Sequence, residues 1–203
     1  MLRFRTLCIA LLVGLLGTAS AVAQPEELPL GSALPSVEGP LQRVHDGTAS
    51  VADLTGAQGT VFLFWSNQCP WVDKYAGRVQ DLIGTFTGQG IQFVLVNAND
   101  ASAFPKESLD ASQAVASDYP QATYVKDANA ALARALGASR TPHAFVFDAQ
   151  NTLVYAGTID DSPGDPGAVS TSYLNDALSA VVAGNDVPVA DTKAFGCMIK
   201  FPQ

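Results

Sequence analysis

The sequence predicts an α/β fold in which a central mixed β-sheet is flanked by helices. The apolar run 61–65 is typical of a strand buried on both faces. A helical pattern over 70–86 leads to a second apolar strand at 91–96, and this order of elements makes a parallel βαβ unit. Short apolar segments at 144–147 and 153–156 enclose a polar turn and predict an antiparallel hairpin, so the sheet is mixed.

Residues 1–23 are predicted to be a secretory signal peptide. Two arginines precede the apolar stretch 7–16, and the Ala-Val-Ala sequence at 21–23 is a typical cleavage site. The alternative is a retained anchor or a lipoprotein acylated at Cys8, but Cys8 lies inside the apolar stretch rather than at the cleavage site. We therefore expect an exported protein, periplasmic or extracellular, that has no stable membrane association after cleavage.

The remaining chain is predicted to form one domain over residues 24–187, followed by an irregular tail at 188–203. The sequence carries 11 basic and 19 acidic residues, a net charge of −8, and loss of the two signal-peptide arginines makes it −10. An acidic surface keeps a protein soluble and disfavours nucleic acid and anionic membranes as partners.

The other elements follow from turn residues and apolar spacing. Gly137 is expected to end a helix that Asp127 caps. In chain order, the predicted elements are a strand within 37–44 with a turn at 45–47, a helical turn at 50–54, a helix at 107–117, a strand at 122–125, a helix at 128–136 and a final helix at 170–183.

Cys69 lies where a buried strand ends and a helix begins. Pro70 suits the first turn of a helix, because its missing N–H is not needed there. The free N–H groups and the dipole of a helix N-terminus stabilise an anion, which lowers the pKa of a thiol. The sequence therefore predicts a nucleophilic cysteine at this position.

Only two cysteines, Cys69 and Cys197, remain after the signal peptide. In an oxidising compartment a pair of cysteines most simply forms a disulfide, although sequence alone does not establish the pairing. His45 and His143 stand alone without ligand-like spacing, so no metal site is expected.

The order of elements resembles the thioredoxin fold, and two motifs agree with it. Phe64-Trp65-x-x-x-Cys69 resembles the active-site strand of thioredoxins, whose nucleophilic cysteine opens a C-x-x-C helix. Thr141-Pro142, just before a predicted strand, resembles the cis-proline loop that lies against that cysteine. The resemblance implies a thioredoxin-like fold with Thr141 and Pro142 in a partner-binding groove.

Further motifs narrow the resemblance to the peroxiredoxin-like branch of the thioredoxin superfamily, which is grouped with the alkyl hydroperoxide reductase/thiol-specific antioxidant domains. The resemblance spans about residues 34–200. The motifs that carry it are Asn67-x-Cys69-Pro70-x-Val72-x-x-Tyr75, Asn97-x-Asn99-Asp100, Thr141-Pro142, Asp160-Asp161 and Gly196-Cys197-x-Ile199-Lys200.

The sequence differs from both thioredoxins and peroxiredoxins at the predicted active site. Val72 stands where thioredoxins have their second cysteine, so the C-x-x-C motif cannot resolve a mixed disulfide here. Peroxiredoxins use P-x-x-x-[ST]-x-x-C; Ser66 supplies the hydroxyl, but Phe62 occupies the proline position. Arg140 is a candidate thiolate partner, yet it precedes a Thr-Pro that peroxiredoxins do not use in this way.

The resemblance implies a thiol–disulfide oxidoreductase with Cys69 as nucleophile and Cys197 as candidate resolving cysteine. Trp71 is a candidate substrate contact, and His143 a candidate proton shuttle. One alternative is a peroxidase that reduces hydroperoxides through Cys69, assisted by Ser66 and Arg140. The other is a non-catalytic binding module held together by a Cys69–Cys197 disulfide. No cofactor is expected, and the partners are protein thiols or disulfides, or a thioredoxin-like reductant.

Overall fold

The computed structural model describes residues 25–203. The predicted signal peptide and the cleavage position therefore lie outside the described residues. Within the described part of the chain, no helix has the length and apolar character needed to cross a membrane.

A mixed sheet of seven strands forms the centre of the described chain. Its parallel and antiparallel pairings confirm the predicted α/β fold. The strands, including two that lie outside this sheet, are β1 Leu41–Arg43, β2 Thr48–Ala49, β3 Gly59–Phe64, β4 Ile91–Asn97, β5 Thr123–Lys126, β6 Arg140–Thr141, β7 His143–Asp148, β8 Leu153–Gly157 and β9 Cys197–Met198. The order in the sheet is β2-β1-β5-β4-β3-β7-β8, and β6 pairs separately with β9.

Four α-helices and four short 3₁₀ segments connect the described strands. The helices are α1 Pro70–Phe86, α2 Ser112–Ser117, α3 Ala131–Leu136 and α4 Tyr173–Ala183. The 3₁₀ segments are Ala52–Leu54, Thr87–Gln89, Pro105–Glu107 and Pro166–Ala168.

The elements that position the site are the ones the sequence predicted best. β3 is buried along its whole length and pairs in parallel with β4, while β7 and β8 form the predicted hairpin. α1 begins at Pro70, directly after Cys69, as its apolar spacing indicated. The apolar residues of these elements follow long, regular patterns, and the side chains that the patterns predict to be buried are buried.

Three helix predictions need correction. The final helix, expected at 170–183, begins at Tyr173. The expected helix 107–117 is a 3₁₀ turn ending at Glu107 followed by the short helix α2, because Glu107 is drawn inward by buried hydrogen bonds. The expected helix 128–136 begins only at Ala131, and Ala130 adopts a left-handed conformation. The Asp127 carboxylate still accepts hydrogen bonds from two N–H groups of the first turn, those of Ala131 and Ala133.

Helices cover both faces of the sheet, and alternate side chains of β3 enter two different cores. Val61 and Leu63 pack in a cluster with residues of α1 and α4. Phe62 and Phe64 pack in a second cluster with residues of α3. Cys69 therefore lies beyond the carboxyl end of the interior strand β3, on the face of the sheet that α1 covers.

Candidate redox site

Cys69 is the N-cap residue of α1 and follows the carboxyl end of β3. Its side chain is 2% exposed, and Sγ lies 3.2 Å from the carbonyl oxygen of Thr141. The oxidised sulfur carries no proton, so this approach is a van der Waals contact; a reduced thiol would donate a hydrogen bond to the same oxygen. The helix N-terminus favours the thiolate and this carbonyl favours the thiol, so the two groups act in opposite directions.

A disulfide joins Cys69 to Cys197 across a separation of 128 residues, with Cα atoms 6.0 Å apart. Thus the tail is covalently attached to the N-terminus of α1. In contrast to Cys69, Cys197 is only partly buried. The two sulfurs therefore differ in their access to solvent.

The tail strand β9 pairs antiparallel with β6, which lies directly before Pro142. Thr141 faces Cys197 in this register, and Arg140 faces Met198. The Thr141–Pro142 peptide bond is cis, and both residues are buried. The Thr141–Pro142 loop and both cysteines thus form one site, in which the protein's own tail occupies the edge of β6.

Gly196 allows the tail to approach this closely. Its φ is +152°, and a Cβ atom placed there would lie 2.1 Å from the carbonyl oxygen of Thr141. We expect Gly196→Ala to destabilise the oxidised tail by about 1–3 kcal/mol, because it combines backbone strain with a clash against main chain. The equilibrium fraction of the Cys69–Cys197 disulfide in a glutathione buffer measures this change.

Gly184→Ala is the matched control for that substitution. Gly184 also has a positive φ, +68°, but a Cβ there would meet nothing within 4 Å. Equal disulfide fractions in the two variants would show that the clash with Thr141 has no effect on the tail.

Contacts on both sides of Cys197 fix the tail further. The N–H of Ile199 donates to the carbonyl oxygen of Ser139, and the N–H of Lys200 donates to Oδ1 of Asn99. Trp71, the predicted substrate contact, packs edge-to-face with Phe195 at a centroid distance of 4.6 Å. The predicted irregular tail is therefore irregular in conformation but closely packed around the disulfide.

The three residues proposed to assist Cys69 have other contacts. Ser66 Oγ donates to Glu107, and a guanidinium N–H of Arg140 donates to the carbonyl oxygen of Gly196. His143 packs against Phe145, with ring centroids 4.3 Å apart. Since Phe145 belongs to the core opposite α1, the His143 ring lies on the face of the sheet away from Cys69.

Sequence reasoning missed Glu107, a carboxylate that is 3% exposed beside the cysteines. It accepts hydrogen bonds from Ser66 Oγ at 2.6 Å, the N–H of Asn67 at 3.0 Å and Asn97 Nδ2 at 2.8 Å. Glu107 thus holds the segment that leads into Cys69. The available signal was topological, because the carboxyl ends of parallel strands β3 and β4 meet at one edge and bring their following loops together.

Lys126 is the second charged residue beneath the site, and it is also 3% exposed. Its ammonium donates to Oδ1 of Asn97 at 3.1 Å and to the carbonyl oxygen of Asn99. Burial lowers the pKa of Lys126 to about 8, although Glu107 and two neighbouring aspartates oppose this change. The positive charge is therefore costly to keep in the folded protein.

The low pKa of Lys126 predicts that the free energy of unfolding rises between about pH 8 and pH 10. In this window the unfolded lysine, with a pKa of 10.5, still binds the proton that the folded protein has lost. We expect an increase of about 1–2 kcal/mol after allowance for solvent screening. Above about pH 10 the trend reverses, because Tyr75 and Tyr119 have pKa values raised to about 12 by burial.

Urea denaturation of the oxidised protein at pH 8, 9 and 10 measures this dependence. Lys126→Met removes the titrating group and should flatten the curve over this window. A parallel rise in both proteins would assign the effect to other groups.

The chain is similar to proteins of one known family. A family model described as the AhpC/TSA family matches residues 30–156. No curated protein matches the chain.

Three solved structures show how far the similarity extends. A hypothetical protein from Sinorhizobium meliloti 1021 has a TM-score of 0.79 at 32% identity, covering 88% of this chain and 98% of that chain. An uncharacterized conserved protein from Geobacillus kaustophilus also has a TM-score of 0.79 at 32% identity, covering 86% and 93%. The thioredoxin domain of a thiol-disulfide oxidoreductase from Bacteroides vulgatus has a TM-score of 0.52 at 16% identity, covering 64% and 89%. This last likeness concerns the fold alone and confirms the predicted thioredoxin-like architecture.

Proposed function

Because this chain belongs to the AhpC/TSA family, we propose that it is an exported thiol–disulfide oxidoreductase whose redox couple is Cys69 and Cys197. The observation that carries the proposal is the disulfide between a cysteine at a helix N-terminus and a tail cysteine paired with the Thr141–Pro142 loop. A disulfide that only fixes the tail has no need of a cysteine at a helix N-terminus, where a thiolate is stabilised.

In the reduced protein, the Cys69 thiolate attacks one sulfur of a partner disulfide and releases the other partner sulfur as a thiolate. Cys197 then attacks Cys69 in the mixed disulfide, which forms the Cys69–Cys197 bond and releases the second partner thiol. The partner gains two electrons and this protein loses two. Protein thiols and disulfides, or a thioredoxin-like reductant, are the proposed partners.

The position of the tail in the oxidised protein restricts how a partner can bind. Thr141 and Pro142 border the edge that β9 occupies in the oxidised protein, and Phe195 covers part of Trp71. A partner segment that uses the same edge must therefore bind when the tail has left it. This requirement ties partner binding to the redox state, since the tail is covalently fixed only after oxidation.

The peroxidase alternative receives less support from the geometry. Peroxidatic chemistry by Cys69 needs nearby donors for the peroxide oxygens, and Ser66 and Arg140 were the sequence candidates. Ser66 donates instead to Glu107, and Arg140 to the tail at Gly196. Hydrogen peroxide consumption by the reduced mature protein tests this alternative directly.

The reduction potential of the mature protein tests the main proposal. Thiol trapping in defined redox buffers should give a Cys69–Cys197 couple above about −250 mV, within the range of working oxidoreductases. Cys69→Ser and Cys197→Ser are the controls that assign the couple to these residues. A couple below about −300 mV, inert to added thiols, would exclude turnover and favour the non-catalytic module.

Export is proposed from the sequence of residues 1–23. Fractionation of cells that express the full chain should find the protein outside the cytoplasm, shortened at its N-terminus by the length of the signal peptide. A full-length cytoplasmic product would contradict this part of the proposal.

A further inference from the structure

We propose that a reductant attacks the disulfide at Cys197 and that Cys69 is the leaving thiolate. This inference rests on the proposed function and specifies its reductive half. It also assigns Cys197 a second role, because the tail cysteine then receives electrons as well as resolving the mixed disulfide.

Burial distinguishes the two sulfurs. Cys69 is 2% exposed, and its Sγ contacts the Thr141 carbonyl oxygen at 3.2 Å. An incoming thiolate needs an open path to the sulfur that it attacks, and a carbonyl oxygen in contact with that sulfur repels an anion. Cys197 is partly exposed, and the next residue, Met198, is 52% exposed. Access therefore favours attack at Cys197.

The leaving group favours the same direction. Thiol–disulfide exchange is faster when the departing sulfur is the more stable thiolate. Cys69 departs at the N-terminus of the 17-residue helix α1, whereas Cys197 lies in the two-residue strand β9. Attack at Cys197 thus leaves the negative charge where the helix dipole and free N–H groups stabilise it.

The surface around the disulfide suits a protein rather than a small thiol. A cavity of about 200 Å³ is lined by both cysteines together with Phe104 and Met198. Five large apolar side chains are exposed in the described residues, and three of them are near this disulfide. Phe104 at 38% and Met198 at 52% line the cavity, and Phe195 at 43% lies two residues before Cys197. We call these three side chains the apolar rim. An apolar rim around a reactive sulfur fits a protein dithiol whose own thiol sits in an apolar surface.

The electrons balance in two exchanges. The first thiolate of the dithiol bonds to Cys197 Sγ as the Cys69–Cys197 bond breaks, and Cys69 leaves as a thiolate. The second partner thiolate then attacks the partner sulfur of the mixed disulfide and releases Cys197. The partner becomes a disulfide, and this protein gains two electrons and, on protonation, two thiols.

The site of attack can be read directly from a mass-spectrometric adduct map. The oxidised mature protein is treated with excess reduced glutathione, quenched with acid after partial reduction, and alkylated before proteolysis. We expect glutathione on Cys197 and the alkyl group on Cys69 in the early mixed disulfide. Glutathione on Cys69 with alkylated Cys197 would overturn the inference, as would a disulfide that resists excess glutathione.

The apolar rim has its own test with reduced bacterial thioredoxin as a model protein dithiol. Met198→Gln keeps the size of the side chain but removes its apolar character, and it should lower the second-order rate of reduction by thioredoxin about fivefold. Reduction by dithiothreitol should be unchanged. Leu30→Gln is the matched control, because Leu30 is 44% exposed and lines a different cavity. Equal rates for Met198→Gln and Leu30→Gln with thioredoxin would exclude the rim as a docking surface.

The outcomes are separable from those of the proposed function. A disulfide too stable for turnover would appear in the redox titration as a potential below about −300 mV. In that case no glutathione adduct forms on either cysteine, and the proposed function and this inference fail together. A potential above about −250 mV with glutathione on Cys69 would overturn this inference alone.

Discussion

Replacing Cys197 with serine is expected to lower the free energy of unfolding by about 5 kcal/mol. The disulfide closes a loop of 128 residues, and cross-linking so long a segment removes much of the conformational entropy of the unfolded chain. Urea denaturation of the oxidised wild type and the Cys197→Ser variant measures the difference. The substitution itself is mild, because Cys197 is only partly buried.

Reduced wild-type protein is the control for the lost covalent bond. Its free energy of unfolding should agree with that of Cys197→Ser within about 1 kcal/mol, and the double variant with Cys69→Ser should lose little more. A difference between oxidised and reduced wild type of less than about 1 kcal/mol would contradict the prediction. Such a result would mean that the reduced unfolded chain already holds these segments together.

The same free energy contributes to the reduction potential. A disulfide that stabilises the fold by about 5 kcal/mol is favoured in the folded protein over the unfolded chain by about 100 mV for a two-electron couple. Stability and potential measured on one sample must therefore agree through this cycle. Disagreement would show that unfolding is not a two-state equilibrium in one of the two redox states.

Replacing Glu107 with alanine should destabilise the protein by about 3–5 kcal/mol. The carboxylate is buried and accepts hydrogen bonds from Ser66, Asn67 and Asn97, and its removal leaves these donors without their partner. It also removes the nearby negative charge that favours the ammonium form of Lys126. Urea denaturation in the oxidised state provides the measurement.

Glu107→Gln separates the shape of this side chain from its charge. The amide keeps one acceptor oxygen but faces the other donors with an N–H₂ group, so we expect a smaller loss of about 1–3 kcal/mol. Asp110→Asn is the control in the same segment, because Asp110 is exposed. If Glu107→Ala and Asp110→Asn had equal effects, the buried network would not contribute to stability.

The strand, helix and nucleophile of the site were predictable because their signals are local. The apolar residues of β3 form a continuous run, and those of α1 recur every three or four residues. The sequence therefore indicates which side chains of these elements are buried. Pro70 marks the first turn of α1 and therefore places Cys69 at its N-terminus. Each of these inferences uses only residues that belong to the same strand or helix or that directly adjoin it.

Helix boundaries between β4 and α3 were predicted less well, and the reason is tertiary. Glu107 was expected to begin a helix, but three donors, two of them in buried hydrogen bonds, hold its carboxylate. Hydrogen bonds made across 10 to 41 residues leave no periodic trace in the sequence. Propensity within residues 107–117 therefore gave a helix that is longer than the observed one.

The sequence by itself determined the α/β class, the parallel β3–α1–β4 unit and the position of Cys69, since periodicity and helix-start signals are local properties of the chain. Only the tertiary structure decided the placement of the tail. Cys197 meets Cys69 because β9 pairs with β6, and Gly196 permits this approach to Thr141. Such pairing depends on backbone hydrogen bonds and space between distant segments, and these are set by the packed fold.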